Sequence, residues 1–166
     1  MKKVLITGAK SYIGESFKDY LMTTPDAYDV QIIDTMGWNP QVSDFDGVDV
    51  VFNVAGIAHI KETDENRHLY YDVNRDLVIK IARTAKAAGV KQFILLSTMS
   101  VYGLTIGHIT KDTLPNPVNA YGKSKVQADE EKKIWKKTVL NLFALDRQWS
   151  MEMDARATIR ALETSH

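Results

Sequence analysis

A tyrosine and a lysine stand four residues apart in "AYGKSK", Tyr121 and Lys125, just after the loop "LPNPVN". On a helix that spacing puts both on one face, phenol beside ammonium. Such a pair is either dressing on a surface helix or a proton-transfer device. A free phenol titrates near 10 and is a poor base at neutrality. Lowering it by about three units takes roughly 4 kcal/mol in favour of phenolate. One ammonium at about 4 Å supplies about that much at an effective dielectric near 20. The pair can act as a general acid/base if other elements bring a reacting oxygen to it.

Those elements alternate strand with helix. Residues 3–7, "KVLIT", read as a short buried strand, and "GAKSYIGESFKDYLM" as a turn and a helix with Ile13, Phe17 and Leu21 on one face. "YDVQIID" and "VDVVFNV" are further strands, the second apolar on both faces as parallel strands are. A long helix is expected over 66–88, with Leu69, Val73, Leu77, Ile81 and Ala85 repeating every four residues and Gly89 closing it. "VKQFILLS" is the next strand, and "AYGKSKVQADEEKKIWKK" the next helix, capped by Asn119. The order implies an α/β fold: a single domain built on a doubly wound, Rossmann-like parallel sheet. Only "QVSDF", as a short edge strand, fits between Asp34 and the strand beginning at Val48.

Composition narrows the function. The 166 residues suit one domain with a full core, and 45% apolar with 25% charged residues is ordinary for a globular protein. Lys plus Arg equals Asp plus Glu at 21 each, so no bulk field favours nucleic acid or an anionic membrane. The absence of cysteine excludes disulfides, thiolate nucleophiles and cysteine–zinc sites. The histidines at 59, 68, 108 and 166 offer no metal spacing, and His59 reads as a loop residue. "VLI" after two lysines is too short for a signal-peptide core, and no apolar run reaches membrane-spanning length. A cytoplasmic enzyme or binding protein is expected.

The remaining motifs fall where strands end. Gly8 to Gly14, "GAKSYIG", lies between the first strand and first helix, where free amides and the helix dipole attract a pyrophosphate. A plain tight turn would use the same glycines. Asp34 ends the second strand about 20 residues on, placed to accept ribose hydroxyls and repel a 2′-phosphate, which favours NAD over NADP. A turn aspartate is the alternative. "NVAG" (53–56) and "STMSVYG" (97–103) lie at the carboxyl ends of the central strands, the ligand edge of open α/β sheets.

Taken together, "TGAKSYIG", the strand-end aspartate, "VSDF", "NVAG", "YYDVN", "LLSTMSVYG" and "YGKSK" resemble an extended short-chain dehydrogenase/reductase. Within that group the chain resembles the NAD-dependent epimerase/dehydratase family, which includes UDP-galactose 4-epimerase. The resemblance spans residues 1–138 and implies NAD as cofactor, a nucleotide-sugar as substrate, and a homodimer through the helices at 66–88 and 120–137. It implies that Tyr121 is the general acid/base, Lys125 its partner and Thr98 the third, hydroxyl-bearing member. It gives Gly8, Ser11, Tyr12, Ile13 and Gly14 to the pyrophosphate turn, Asp34 to the ribose, and Asp44 with Phe45 to adenine. Val54, Ala55, Gly56 and Asn74 become further cofactor contacts, alongside Tyr121 and Lys125. The cationic nicotinamide ring would add to the lysine's effect on the phenol.

The chain departs from that pattern twice. Ser11 stands where the family has the middle glycine of its turn. After "VLNLFAL" (139–145), which can begin the next strand, "DRQWSMEMDARATIRALETSH" resembles nothing in the family. One back-translation of Leu145 to Ala161, read in another frame, spells "RPPMVYG" and resembles the family's next motif. Residues 139–166 are therefore expected to be an aberrant tail, by the hypothesis of a lost base near the Leu145 codon, in place of a C-terminal substrate domain, with reduced stability and weak or absent turnover; a genuine short tail whose codon match is coincidence is the alternative. A reductase of a smaller carbonyl compound and a non-catalytic NAD-binding module remain as alternatives.

Overall fold

The computed structural model describes residues 1–58, 60–104, 106–110 and 112–130, and the backbone of 139–144. The expectations for His59, for the helix beyond Glu130 and for the tail beyond Ala144 lie outside the described residues. Five parallel strands form one sheet in the order β2-β1-β3-β4-β5: β1 (Lys2–Thr7), β2 (Tyr28–Ile33), β3 (Val50–Asn53), β4 (Gln92–Thr98) and β5 (Val139–Ala144). The order reverses between β1 and β3, where Val4 pairs with Val50 and Thr7 with Asn53. That reversal opens a crevice at the carboxyl edge, as doubly wound sheets do.

Both faces of the sheet are buried because successive side chains alternate. Val4, Ile6, Val50, Phe52 and Ile94 pack against Phe17 and Leu21 of α1 (Tyr12–Leu21). Leu5, Val51, Phe93 and Leu95 pack on the other face against α3 (Val78–Ala87), with Ala128 of α4 (Ala120–Glu130). Each such large apolar side chain contributes roughly 1.5–3 kcal/mol on burial.

Two expectations need correcting. "QVSDF" forms no edge strand: Val42–Phe45 is a 3₁₀ turn. Asp44 accepts from the Gln41 amide at 2.9 Å, which winds the turn, and from Trp38 Nε1 at 3.0 Å. Phe45 is buried in the core, and the Trp38 ring, 6.0 Å from it, covers the sheet where a crossover helix would otherwise lie.

The long helix is also less regular than its four-residue repeat implies. α2 (Arg67–Tyr71) passes through a π segment, Asp72–Leu77, into α3. The extra residue of a π turn moves the inward face by one position. Tyr70, Asn74 and Val78 are buried, whereas Leu69 is 38% exposed. The stripe at Ile81 and Ala85 holds as expected. Gly89 closes the helix, with the Val90 amide donating back to Ala85 O.

Candidate active site

The turn after β1 is held by backbone. The Gly8 and Ala9 amides both donate to Ile33 O at the end of β2, at 2.8 and 3.0 Å. Gly8 has φ +108°, and a Cβ there would lie 2.9 Å from the Ala55 amide nitrogen. Only glycine serves at this crossing of two strand ends. Ser11 has φ −73° and needs no glycine; it caps α1, its hydroxyl accepting from the Gly14 amide at 3.4 Å. The amides of Tyr12 and Ile13 in that first turn have no partner within the helix and suit an anion. Tyr12 is 72% exposed, while Gly14 is buried against Val54 and Ile6.

Asp34 is exposed at the end of β2, with Lys10 Nζ at 3.6 Å. The Met36 amide holds its carboxyl below the usual carboxylate range, helped by Lys10. Asp44 and Phe45 are near in sequence but turned away: the Asp44 carboxylate is engaged with Trp38 and Gln41, and the Phe45 ring is in the core. A ligand would meet their backbone rather than their side chains.

Val54, Ala55 and Gly56 leave β3 beside the glycine turn. Asn74, fully buried in the π segment, accepts from the Ile57 amide at 2.8 Å and donates to Ile57 O at 2.9 Å. Its carboxamide is thus committed to the loop that follows Gly56. The same amide nitrogen lies 3.5 Å from Ser124 Oγ on α4.

Helix α4 brings Ser124 and Lys125 to that loop. Asn119 caps it as expected, accepting from the Gly122 amide at 2.8 Å. Gly122 permits close approach: a Cβ there would lie 2.5 Å from the Ser100 carbonyl oxygen. That contact seats Tyr121 against the end of β4, with its phenol beside Thr98. Lys125 is 4% exposed and donates from Nζ to Leu96 O at 2.8 Å. A Cβ on Gly56 would lie 3.7 Å from that ammonium, so glycine loop and helix meet in one crevice.

Burial pushes the Tyr121 phenol above its ordinary value, the Thr98 hydrogen bond opposes this, and Tyr70 adds to the rise. The Lys125 ammonium is turned to the Leu96 carbonyl, and burial lowers its own pKa to about 8, with Asp129 opposing. Burial is the largest influence on the phenol in the chain by itself. Tyr121 is a protonated phenol at neutrality.

Three participants escaped the sequence reading. Tyr70 places its ring 6.3 Å from that of Tyr121. Ser124 sits beside Asn74, and Gly122 sets the approach of α4. Small residues inside "YGKSK" were the available signal for the last two.

The residues fit a dinucleotide: a cradle that a Cβ would fill at Gly8, an exposed carboxylate at Asp34, and an ammonium beside Gly56. Comparison with known proteins agrees. A model described as the NAD dependent epimerase/dehydratase family matches residues 4–145. An uncharacterized UDP-glucose epimerase of Bacillus subtilis is 23% identical over 165 residues, covering 82% of this chain and 52% of that protein. The UDP-glucose 4-epimerase of Lactobacillus helveticus is 25% identical, covering 77% and 45%. The chain spans about half the length of these curated relatives. Among solved structures, the UDP-glucuronic acid 4-epimerase of Bacillus cereus in complex with NAD superposes with a TM-score of 0.70 at 24% identity, covering 86% of this chain and 56% of that one. A dTDP-4-dehydrorhamnose reductase of Clostridium acetobutylicum gives 0.83 at 20%, covering 98% and 71%. At these identities the superpositions speak for the fold.

Proposed function

The chain belongs to the NAD dependent epimerase/dehydratase family, and we propose that it is the cofactor-binding and proton-transfer part of a sugar-nucleotide epimerase or dehydratase. The observation that supports this most is that α4 sets the Lys125 ammonium beside Gly56 and, one turn earlier, the Tyr121 phenol beside Thr98, at the carboxyl edge of the sheet.

The turn from Gly8 to Gly14 would hold the pyrophosphate through the amides of Tyr12 and Ile13, and Asp34 the adenosine ribose. The backbone of Asp44 and Phe45 would flank adenine, and Val54 to Gly56 would line the path to the nicotinamide. Bound NAD supplies the hydride acceptor and donor. Thr98 holds the oxygen of the reacting sugar carbon. Tyr121 takes the hydroxyl proton as that oxygen becomes a carbonyl, and returns it in the reverse step. For this the phenol must lose its raised pKa, so added positive charge near it is part of the proposal. Lys125, still mainly ammonium at neutral pH with a pKa of about 8, stands one helical turn from Tyr121 and would supply part of that charge. A homodimer and weak turnover by the 166 residues alone complete the proposal.

The test pairs calorimetry with absorbance. NAD should bind, and UDP-glucose with NAD should give a slow change at the reduced-nicotinamide band. Tyr121→Phe should cut that rate by about 10²–10⁴-fold while leaving NAD affinity within about twofold. Turnover that survives the substitution removes the assigned role of Tyr121, and absence of NAD binding removes the whole reading.

A further inference from the structure

Tyr121 is the second residue of its helix, where α-helices fray unless the first amides are held. Asn119 holds the Gly122 amide. The Ala120 amide, adjoining Tyr121 in the chain, is held from elsewhere: it donates to Glu62 Oε2 at 2.9 Å, across 58 residues of sequence. Glu62 Oε1 accepts from Arg67 Nε at 2.8 Å, so both carboxylate oxygens are fixed. Those two donors, the Ala120 amide first, keep the Glu62 carboxyl below its ordinary range and hence ionised at neutrality.

The segment that carries Glu62 is itself braced. The Thr63 amide donates to Asn66 Oδ1 at 2.8 Å, and Asn66 Nδ2 donates to Lys61 O at 2.9 Å. Tyr70 donates from its hydroxyl to Ile60 O and sets its ring against Tyr121. The helix start is therefore gripped on the backbone by Glu62 and on the phenol side by Tyr70.

We propose that Glu62 is a positioning residue for Tyr121: by accepting the first amide of α4 it fixes where the phenol stands against Thr98. The proposal rests on the acid/base reading of Tyr121 for its consequence in turnover, but not for its geometric content. Nothing in Glu62 touches a reacting atom.

The experiment follows the ζ-carbon resonance of Tyr121 in the full chain labelled with ¹³C-tyrosine, assigned by its disappearance in Tyr121→Phe. Glu62→Ala should displace that resonance and move the phenol pKa by about half a unit or more, with NAD affinity within about twofold. Glu62→Gln keeps an acceptor of the same reach and should restore most of the wild-type signal. Glu62→Asp keeps the charge but withdraws the acceptor, and should behave like Glu62→Ala. If Glu62→Ala does not fold, the Gln and Asp variants decide between themselves. Where turnover is measurable, Glu62→Ala should lower kcat about tenfold or more with KM nearly unchanged. An unmoved Tyr121 signal in Glu62→Ala and Glu62→Asp, or no recovery in Glu62→Gln, overturns the proposal. Turnover that persists in Tyr121→Phe would instead defeat the acid/base reading, and the resonance test would stand apart from it.

Discussion

The two ends of the crevice are built on opposite principles. At the glycine turn the work is done by backbone amides and by space: Gly8 lies against Ala55, the Gly8 and Ala9 amides are tied to Ile33, and the charged side chains there, Lys10 and Asp34, are exposed. At the start of α4 it is done by polar side chains that the fold has buried: Asn74, Ser124 and Lys125 all sit below the surface. The first arrangement costs little to maintain and is spoiled by adding atoms. The second carries a desolvation cost and is spoiled by removing partners. Binding and proton transfer should therefore respond to different kinds of substitution.

The largest effect expected from that contrast is at Gly8. Gly8→Ala places a methyl in contact with the Ala55 backbone at a left-handed φ, so NAD affinity should fall by roughly 100-fold and stability by about 2–3 kcal/mol. Calorimetry and denaturant melts read both, and near-native binding would mean that the turn is softer than its packing implies.

Next comes Lys125, whose burial should make it a liability to the fold. Its pKa is about 8 in the folded chain against 10.5 for a free lysine. Between those values the unfolded chain binds more protons, so wild-type stability gains as pH rises through that window, while below 8 the whole penalty is felt. Lys125→Met should accordingly be more stable at pH 7, by on the order of 2 kcal/mol, and the margin should shrink from pH 8 to 10.5. A margin that stays constant with pH would contradict the buried-cation account.

Smaller again, Asn119→Ala removes a cap and should cost about 1 kcal/mol, read in thermal melts. The loss should appear with little change in NAD affinity. Smallest of all, Ser11→Gly should change stability by only a few tenths of a kcal/mol and NAD affinity by less than about threefold. A large gain in affinity would show that the serine hydroxyl obstructs the turn.

What could be read from sequence follows the same divide. The strands were legible because buried parallel strands are short apolar runs, and Gly8, Asp34, Tyr121 and Lys125 stand where those runs and helices end. The 3₁₀ turn at Val42–Phe45 was not, since four residues give no period; the Gln41 and Asp44 spacing was its signal. The π segment hid behind a repeat that looked regular. Asn74 was marked as a cofactor contact by resemblance, while its hydrogen bonds go to Ile57 and the vicinity of Ser124. Glu62 escaped because its partner is distant in the chain. The phenol's raised pKa escaped too: spacing places two groups on one face but says nothing of how much water the fold removes from them.

The wide turn at Asp72–Leu77 has one more implication. Excising any single residue from it would leave a straighter, more regular rod, and each position on one side of the cut would rotate by about 100° relative to the other. Asn74 and the loop beyond Gly56 would then part company, or the buried rows above them would. The irregular helix keeps two registers at once, one for the oily interior and one for a single amide clamp at the mouth of the cleft.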